Sequence, residues 1–333
     1  MKRKKIQFIT IVLSLIVAIC ACKKEPLGGI VVDKDLIMVV GKTATLTVTF
    51  IPSNASNKKM YWESSDTNIA TVEDGKITGI AVGIVKITAI ADDGGRRAQC
   101  MVSVIQPIEP ELIRVEGGTF TMGCAGEQGV DCYANETPTH EVTLSSFYIG
   151  KFEVTQKEWI ATMVNNPSFD KGDSIPVQDI TWNEVQKYIQ RLNTVTGKNY
   201  RLLTEAEWEY AARGGNQSQG YKYSGSNNID EVAWYSENAS FRAHPVGMKK
   251  ANELGIFDMT GNLFEWCNDW YSIYTSNAQI NPLGPAAGNK KVVRGGSWYT
   301  SADGSVFARG YMTETEKCID TGFRLALAAG KKE

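Results

Sequence analysis

A proline-containing segment, QPIEP at 106–110, separates two stretches of the chain with different sequence patterns. Before it, short runs that alternate apolar and polar residues are separated by turn-forming sequences such as PSNASN, EDGK and DDGG. Runs of this length and spacing, without a helical period, are typical of a β-sandwich. After the segment, helical periods occur beside long irregular stretches. The chain of 333 residues is therefore predicted to fold as two domains.

The N-terminus has the pattern of a bacterial lipoprotein signal peptide over residues 1–21. Four basic residues, Lys2–Lys5, precede a mostly apolar run, Ile6–Cys20, that is too short for a comfortable membrane span. The run ends in ICAC, and its second cysteine, Cys22, fits the lipid-modified position of a lipobox better than the first. A plain signal peptide with an incidental cysteine is the alternative.

Lipidation at Cys22 would anchor the protein to a membrane, with residues 22–29 as a tether. We therefore expect an extracytoplasmic lipoprotein, on the outer-membrane, periplasmic or cell-surface side.

The remaining cysteines are five in number, so at least one should stay unpaired. Disulfides persist outside the cytoplasm. Cys124 and Cys132 lie eight positions apart in a glycine-containing loop and are predicted to form a disulfide. Cys100 lies in a strand-like run and is predicted to be a buried thiol. The sequence leaves the pairing of Cys267 and Cys318 open.

Residues 62–89, WESSDTNIATVEDGKITGIAVGIVKITA, closely resemble the bacterial immunoglobulin-like domain of group 2. The resemblance implies an all-β immunoglobulin-like sandwich over 30–106. Such domains act mostly as spacers or adhesive modules, and nothing in this stretch suggests chemistry. Trp62 is predicted to fill the core of the sandwich.

In the second part of the chain, helices are predicted to follow Thr155 and Thr181. A capping box, in which a threonine hydroxyl and a glutamate three residues later satisfy each other's backbone amides, pairs Thr204 with Glu207. Three glutamates follow this cap in close succession, and they are interpreted as a cap and a solvated face rather than as catalytic carboxylates. They are Glu205, Glu207 and Glu209.

Five motifs occur in order over some 200 residues: GGTFTMG, ETPTHEVTLSSFYIGKFEVT, YRLLTEAEWEYAARGG, HPVGMKKANELGIFDMTGNLFEW and RGGSW…GFRLAL. Together they make the span 113–327 resemble the formylglycine-generating enzymes, also called sulfatase-modifying factors. The resemblance implies an α+β, loop-rich variant of the C-type lectin fold. We assign residues 107–112 to a linker and 113–328 to this domain.

Working members of that family use two cysteines after the GGS turn to bind copper and oxidise a substrate cysteine. Counted forward from Ser297, the two positions fall on Thr300 and Ser305. A hydroxyl has a far higher pKa than a thiol and is a poor ligand for soft copper. The chain is therefore expected to lack copper and formylglycine-generating activity. Cys267 and Cys318 are an unfavourable replacement, because copper needs its ligands at fixed separations.

The family also carries calcium beside a GN-x-x-EW motif, which is GNLFEW at 261–266 in this chain. The resemblance places the ligands on the side chains of Asp258 and Glu265 and on the carbonyls of Gly261 and Leu263. Carboxylates and carbonyls in an irregular loop suit a hard cation such as calcium. A loop held by hydrogen bonds alone is the alternative.

The segment WYTSADGSVFARGYMTETEK, at 298–317, mixes aromatic anchors with small polar residues, as antibody paratopes do. The corresponding position serves as the variable region of diversity-generating retroelement targets, which this end of the chain resembles. A surface that binds a protein or glycan is predicted here, and inward packing of the aromatics is the alternative. Its residues are Trp298, Tyr299, Thr300, Ser305, Phe307 and Tyr311.

The predicted function is a non-catalytic, ligand- or protein-binding module in a lipoprotein. A formylglycine-type oxidase with non-standard residues and a structural part of a cell-envelope assembly are the alternatives. Nucleic acid is not expected as a partner, because the net charge is −2 and no basic stripe interleaved with aromatics occurs.

Overall fold

The computed structural model describes residues 25–124, 132–302 and 304–330. The predicted signal peptide and Cys22 lie outside these residues. None of the helices within the described ranges combines the length and the apolar character that a membrane crossing requires.

The first domain is an immunoglobulin-like sandwich, as predicted. A four-stranded sheet of order β2-β9-β8-β5 packs with a three-stranded sheet of order β3-β7-β6, and β1 pairs with β4. The strands are β1 (Gly29–Val31), β2 (Asp35–Val39), β3 (Thr43–Thr45), β4 (Thr49–Ile51), β5 (Met60–Ser64), β6 (Ala70–Glu73), β7 (Lys76–Gly79), β8 (Gly83–Ala91) and β9 (Arg97–Ile105).

Alternation along the two longest strands builds the core of this sandwich. Strands β8 and β9 pair antiparallel with Val85 opposite Val102, and both side chains are buried. Successive residues of a strand face opposite sides, so one face of each strand supplies the core. Trp62 packs against this core and Cys100 is a buried free thiol, as the sequence predicts.

The second domain combines three small sheets with four helices among its described residues. The sheet orders are β10-β13-β20-β14, β11-β12-β16 and β18-β17-β15-β19. Its strands are β10 (Leu112–Val115), β11 (Gly118–Met122), β12 (His140–Leu144), β13 (Phe147–Gly150), β14 (Tyr200–Leu202), β15 (Phe264–Trp270), β16 (Gln279–Ile280), β17 (Lys291–Arg294), β18 (Arg309–Met312), β19 (Thr321–Gly322) and β20 (Leu325–Ala328). Its helices are α1 (Gln156–Met163), α2 (Trp182–Thr196), α3 (Glu205–Ala212) and α4 (Ile229–Val232).

Three of the helices begin at a capping box. Thr155, Thr181 and Thr204 each accept a hydrogen bond from the amide three residues later, and the glutamate there accepts from the threonine amide. This exchange satisfies amides that a helix start leaves without partners. The helix starts predicted from the sequence are therefore confirmed. Helix α2 ends at Gly197, whose φ of 70° suits a residue without a side chain.

Helices α1 and α2 pack together through an aromatic cluster. Trp159 of α1 stacks on Tyr188 of α2 with ring centroids 5.3 Å apart, and Phe323 meets both rings edge-on. Phe323 belongs to the GFR motif, so this packing fixes the C-terminal end of the chain. Helix α3 lies elsewhere, with all eight residues buried.

Candidate functional site

Helix α3 carries its three glutamates inward, so the predicted solvated face is wrong. Glu205, Glu207 and Glu209 are all buried. The sequence EAEWEYAA gives the helix no polar face, because buried alanine and aromatic residues alternate with the glutamates. Buried carboxylates need cationic partners, and those partners come from distant parts of the chain.

Arginines pair with each of these glutamates. Arg294 donates to Glu209 at 2.6 Å and to Glu205 at 3.1 Å. Arg309 binds Glu205 through two nitrogens at 2.6 and 2.7 Å. Two further pairs complete the network, Arg213 with Glu209 and Arg201 with Glu207. The network ties α3 to strand β17, which precedes the predicted binding segment, and to strand β18, which lies within that segment.

The arginine of the GFR motif has a similar role at the opposite end of that segment. Arg324 donates through Nε and Nη2 to both oxygens of Glu265, at 2.6 to 2.9 Å. It also donates to the carbonyls of Gly150 and Phe257. The side chain is fully buried, so the motif arginines are internal anchors rather than surface groups.

The GNLFEW motif forms a hydrogen-bonded loop around further buried carboxylates. Glu265 also accepts a hydrogen bond from Trp208 Nε1 at 2.8 Å. Asp258 accepts from the Gly247 amide at 2.7 Å. Glu153, which the sequence did not single out, accepts from the Leu263 amide at 3.1 Å. The local sequence around Glu153 does not indicate this contact, because Glu153 and the loop are more than a hundred residues apart in the chain.

The predicted calcium ligands fit a metal only in part. Burial raises the pKa of Asp258 to about 6 and that of Glu153 well above its usual range. A cation bound beside these carboxyl groups would stabilise their charged forms. Both oxygens of Glu265, however, are held by Arg324. Among the described residues, no three His, Cys, Asp or Glu side chains are arranged to hold a metal. Calcium at Asp258, Gly261, Leu263 and Glu265 stays a prediction, and binding there would require Glu265 to leave Arg324.

The GGS turn lies close to Thr300 and to the segment that carries Ser305, the two positions where the family enzymes have cysteines. Gly295 and Gly296 have φ values of 92° and 74°, which favour glycine. A Cβ placed on Gly296 would lie 3.6 Å from the Cβ of Thr300 and 3.5 Å from the Cα of Gly304. Ser305 follows Gly304 directly, so its segment and Thr300 approach each other here.

Hydrogen bonds occupy the polar groups of this turn. Ser297 Oγ donates to Asp320 Oδ2 at 2.7 Å. The Ser297 amide donates to Thr300 Oγ1 at 2.9 Å, and the two hydroxyl oxygens lie 3.2 Å apart. These hydrogen bonds stabilise the turn, and none of the three side chains that make them is a thiol or a histidine.

Only part of the predicted binding surface is exposed to solvent. Trp298 is 6% exposed, Ser305 4% and Phe307 2%, so these side chains do not reach a partner. Trp298 packs with Leu263 and nearby alanines, and Phe307 joins the core around α3. Inward packing, the alternative considered from the sequence, is what these residues do.

Two of the predicted surface aromatics do face solvent. Tyr299 is 66% exposed and Tyr311 45%. Tyr311 lies against Tyr271 with ring centroids 4.5 Å apart, and Lys290 Nζ sits 3.8 Å from its ring centre. Thr300 is half-buried. The exposed part of the surface therefore consists of two separate tyrosines with polar neighbours.

Comparison with known proteins agrees with this architecture. A model of the sulfatase-modifying factor enzyme 1-like domain matches residues 100–329, and a model of the bacterial Ig-like domain (group 2) matches residues 29–102. The chain belongs to the sulfatase-modifying factor enzyme 1-like family. Both resemblances drawn from the sequence are confirmed.

Proteins similar to this chain include a chaperone protein, an enzyme and a variable protein. Chaperone protein LppX of Paenibacillus barcinonensis is 37% identical over 254 residues, covering 61% of this chain and 84% of its own length. The formylglycine-generating enzyme of Streptomyces coelicolor is 28% identical over 285 residues, covering 64% of this chain and 88% of its own. The structure of Treponema denticola variable protein 1 matches with a TM-score of 0.60 and 30% identity, covering 66% of this chain and 95% of that one.

Cysteines elsewhere in the sulfatase-modifying-factor domain do not replace the missing pair. Cys124 and Cys132, the pair expected from the sequence, are joined in a disulfide with Cα atoms 5.7 Å apart. Cys267 is buried and Cys318 half-buried, and both are free. Burial raises the pKa of the Cys318 thiol to about 11 and that of Cys267 well above its ordinary value. Neither is a thiolate at neutral pH, which agrees with a structural role.

Sequence reasoning missed a cavity of about 350 Å³ beside the start of α3 in this family domain. Its lining includes His140, Glu205, Asp269, Tyr274 and Arg309. These residues come from four separate parts of the chain, because only Asp269 and Tyr274 are close in sequence. No local motif could have brought them together, although Glu205 lies in one of the five family motifs.

Proposed function

We propose that the protein is a non-catalytic binding module, carried by a lipoprotein. The observation that carries this proposal is the pair of hydroxyls, Thr300 and Ser305, at the positions of the family's two cysteines. The surrounding scaffold keeps its glycine turn and its motif arginines. A site that has lost its soft ligands and nucleophile cannot bind copper or activate oxygen as the family enzymes do.

The exposed tyrosines support binding as the remaining activity. Tyrosine gives a large, rigid contact area at a low cost in conformational entropy. Tyr299 leans against Trp298 with ring centroids 5.7 Å apart, and Tyr311 is braced by Tyr271. The ring behind each exposed tyrosine, buried in Trp298 and half-buried in Tyr271, holds the exposed ring in place. The proposed partner is a protein or a glycan.

The names of two relatives are compatible with a binding role. One is a chaperone protein and another a variable protein, and neither name states an oxidase activity. The name LppX also supports, by analogy, a lipid anchor at Cys22 and an extracytoplasmic location. In that arrangement the immunoglobulin-like domain at 30–106 would space the binding domain from the membrane.

Two measurements on the soluble chain from Lys23 onward test this proposal. In the first, a sulfatase-type cysteine peptide is incubated with the protein, copper and oxygen, and no oxidation is expected. Copper-dependent oxidation by the parent chain would favour the oxidase alternative. A Thr300→Cys, Ser305→Cys double variant serves as the positive comparison, and it should bind copper(I) where the parent does not.

The second measurement uses a glycan array and defined envelope proteins as probes. A Tyr299→Ala, Tyr311→Ala double variant should bind a retained probe at least tenfold more weakly, since truncating an anchoring aromatic typically costs ~2 kcal/mol or more. Phe169→Ala is the matched control, because Phe169 is also a highly exposed aromatic of this domain. Equal binding by the double variant and the parent would contradict the proposed surface.

A further inference from the structure

Charged side chains line the cavity beside the start of α3, the α3 cavity. Glu205 accepts from Arg294, from two nitrogens of Arg309 and from Tyr274 Oη at 3.2 Å. Its charge is therefore fully compensated inside the protein. Asp269 also lines the cavity and is only 4% exposed.

Asp269 has few partners for a buried carboxylate. Within the described residues, one N–H donates to it, the amide of Glu205 at 3.0 Å to Oδ2, and no cation lies within 4 Å. A carboxylate can accept about four hydrogen bonds. Lys291 acts on Asp269 electrostatically, but its Nζ donates to the Asn268 carbonyl at 2.9 Å and lies over the rings of Trp182 and Trp270. Asp269 thus keeps acceptor capacity that faces the cavity.

The guanidinium of Arg309, the cation that lines the cavity, is already engaged, which disfavours an anionic ligand. All three nitrogens of Arg309 are engaged, two by Glu205 and the third by the carbonyls of Asn135 and Ser272. The Arg309 guanidinium also lies 3.8 Å from the Tyr274 ring centre. The charge balance therefore favours a ligand that brings a positive group to Asp269.

The mouth of the cavity is apolar. Ile273 and Leu283 line it and are 75% and 67% exposed. Met122 and Ala206 line the inside. Exposed large apolar side chains around a polar pocket are typical of ligand sites. A volume of about 350 Å³ suits one side chain or a small molecule.

We propose that the α3 cavity binds an ammonium or guanidinium group carried on an apolar chain, with Asp269 as its counter-ion. Such a group occurs as a lysine or arginine side chain between apolar residues of a polypeptide, and also as a free alkylamine. The apolar neighbours of the bound group rest on Ile273 and Leu283. This site is separate from the tyrosine surface of the proposed function.

The test uses three probes with the soluble full chain at pH 8. The first is acetyl-Leu-Lys-Leu-amide, and the second replaces its lysine by norleucine, which has nearly the same shape without the charge. The third is n-butylamine, which separates a free amine from a peptide side chain. The pH is set at 8 because burial raises the pKa of Asp269 to about 7, with Glu205, Glu207 and Lys291 as the charged groups that act on it.

Calorimetric titration should show the lysine peptide binding at least tenfold more tightly than the norleucine peptide. Asp269→Asn should weaken lysine-peptide binding at least tenfold, since a hydrogen bond to a charged group contributes ~1.5–3 kcal/mol. Leu283→Lys, at an exposed rim position, should also weaken it by placing a competing cation at the mouth. Asp173→Asn, which neutralises an exposed carboxylate of the same domain, should bind as the parent does.

Saturable binding of n-butylamine without a gain for the peptide would assign the site to free amines. Three results would overturn the proposal: equal affinity for the lysine and norleucine peptides, undiminished binding by Asp269→Asn, or no saturable binding of any probe by the parent. Circular dichroism checks that each variant is folded. Since Leu283 is exposed, the Leu283→Lys arm remains decisive if Asp269→Asn alters the fold.

Discussion

Replacing Asp269 by Asn should stabilise the second domain at alkaline pH and have little effect at acid pH. The side chain is buried without an ion-pair partner, so its charged form is unfavourable in the folded protein. Asparagine has nearly the same shape and keeps an oxygen that can accept from the Glu205 amide. The substitution therefore removes the charge while leaving the one described hydrogen bond in place.

The magnitude follows from the pKa of this carboxyl. Burial, with a further contribution from Glu205, raises the pKa of Asp269 from its ordinary 3.8 to about 7. Because the folded pKa is raised, the stability that protonation provides is complete below about pH 4 and is lost as the pH rises through 7. The difference corresponds to about 4 kcal/mol at pH 8, and an error of one pKa unit changes this by about 1.4 kcal/mol. The variant should therefore exceed the parent by up to that amount at pH 8.

Urea denaturation followed by tryptophan fluorescence measures this difference. Seven of the eight tryptophans lie in the second domain, so the signal reports on it. Urea is preferred to guanidinium because it does not screen charges. Curves at pH 4, 5, 6, 7 and 8 should show the variant gaining on the parent as the pH rises, with the change spread between about pH 4 and pH 7.

A constant difference between the two proteins at every pH would refute this reasoning. It would mean that Asp269 keeps an ordinary pKa, through solvent access or a partner outside the described residues. Asp173→Asn is the control, since an exposed carboxylate should leave the pH profile unchanged. This measurement is independent of any ligand, so its outcome does not decide the binding proposal.

Three further predictions concern burial, metal and membrane. Phe307→Ala should lower the unfolding free energy by ~3–5 kcal/mol because Phe307 is buried in the core, whereas Tyr299→Ala should change it by less than ~0.5 kcal/mol because that ring is exposed; urea curves distinguish these outcomes. Calcium at a hundredfold excess over its Kd should stabilise the soluble chain by ~2.7 kcal/mol and leave Asp258→Ala unaffected, and identical melting curves in calcium and chelator would argue against the site. Cys22→Ser should abolish incorporation of labelled palmitate into the full precursor, and equal labelling of that variant would remove the lipid anchor.

Local patterns in the sequence predicted the fold well, because the signals that define it lie within short stretches. The alternating strands of the sandwich and the capping boxes at Thr155, Thr181 and Thr204 each involve residues a few positions apart. The motif order then identified the second domain. The disulfide between Cys124 and Cys132 was likewise predictable from an eight-residue separation.

Long-range pairing explains what the sequence did not predict. The sequence predicted solvent-exposed side chains for Glu205 and Glu209, because their partner Arg294 lies 85 or more residues away along the chain. Asp269 carried no signal because its cavity forms from distant segments. The burial of Trp298 and Phe307 could not be predicted either, because a loop has no regular hydrophobic periodicity that would indicate which side chains face the core.

The buried arginines explain how this domain can hold its fold with hydroxyls at the two positions where the family enzymes have cysteines. The segment from Arg294 to Arg324 is fixed at both ends by fully buried guanidiniums, one on Glu205 and Glu209 and the other on Glu265. Removing one partner of such a pair typically costs ~3–5 kcal/mol, because it leaves an uncompensated charge in the interior. Thr300 and Ser305 lie between these anchors and take no part in them. Exchanging thiols for hydroxyls there leaves the anchors intact, so the chemistry can be lost without the scaffold. The same separation leaves exposed positions such as Tyr299 and Tyr311 open to change, which is the property a binding surface requires.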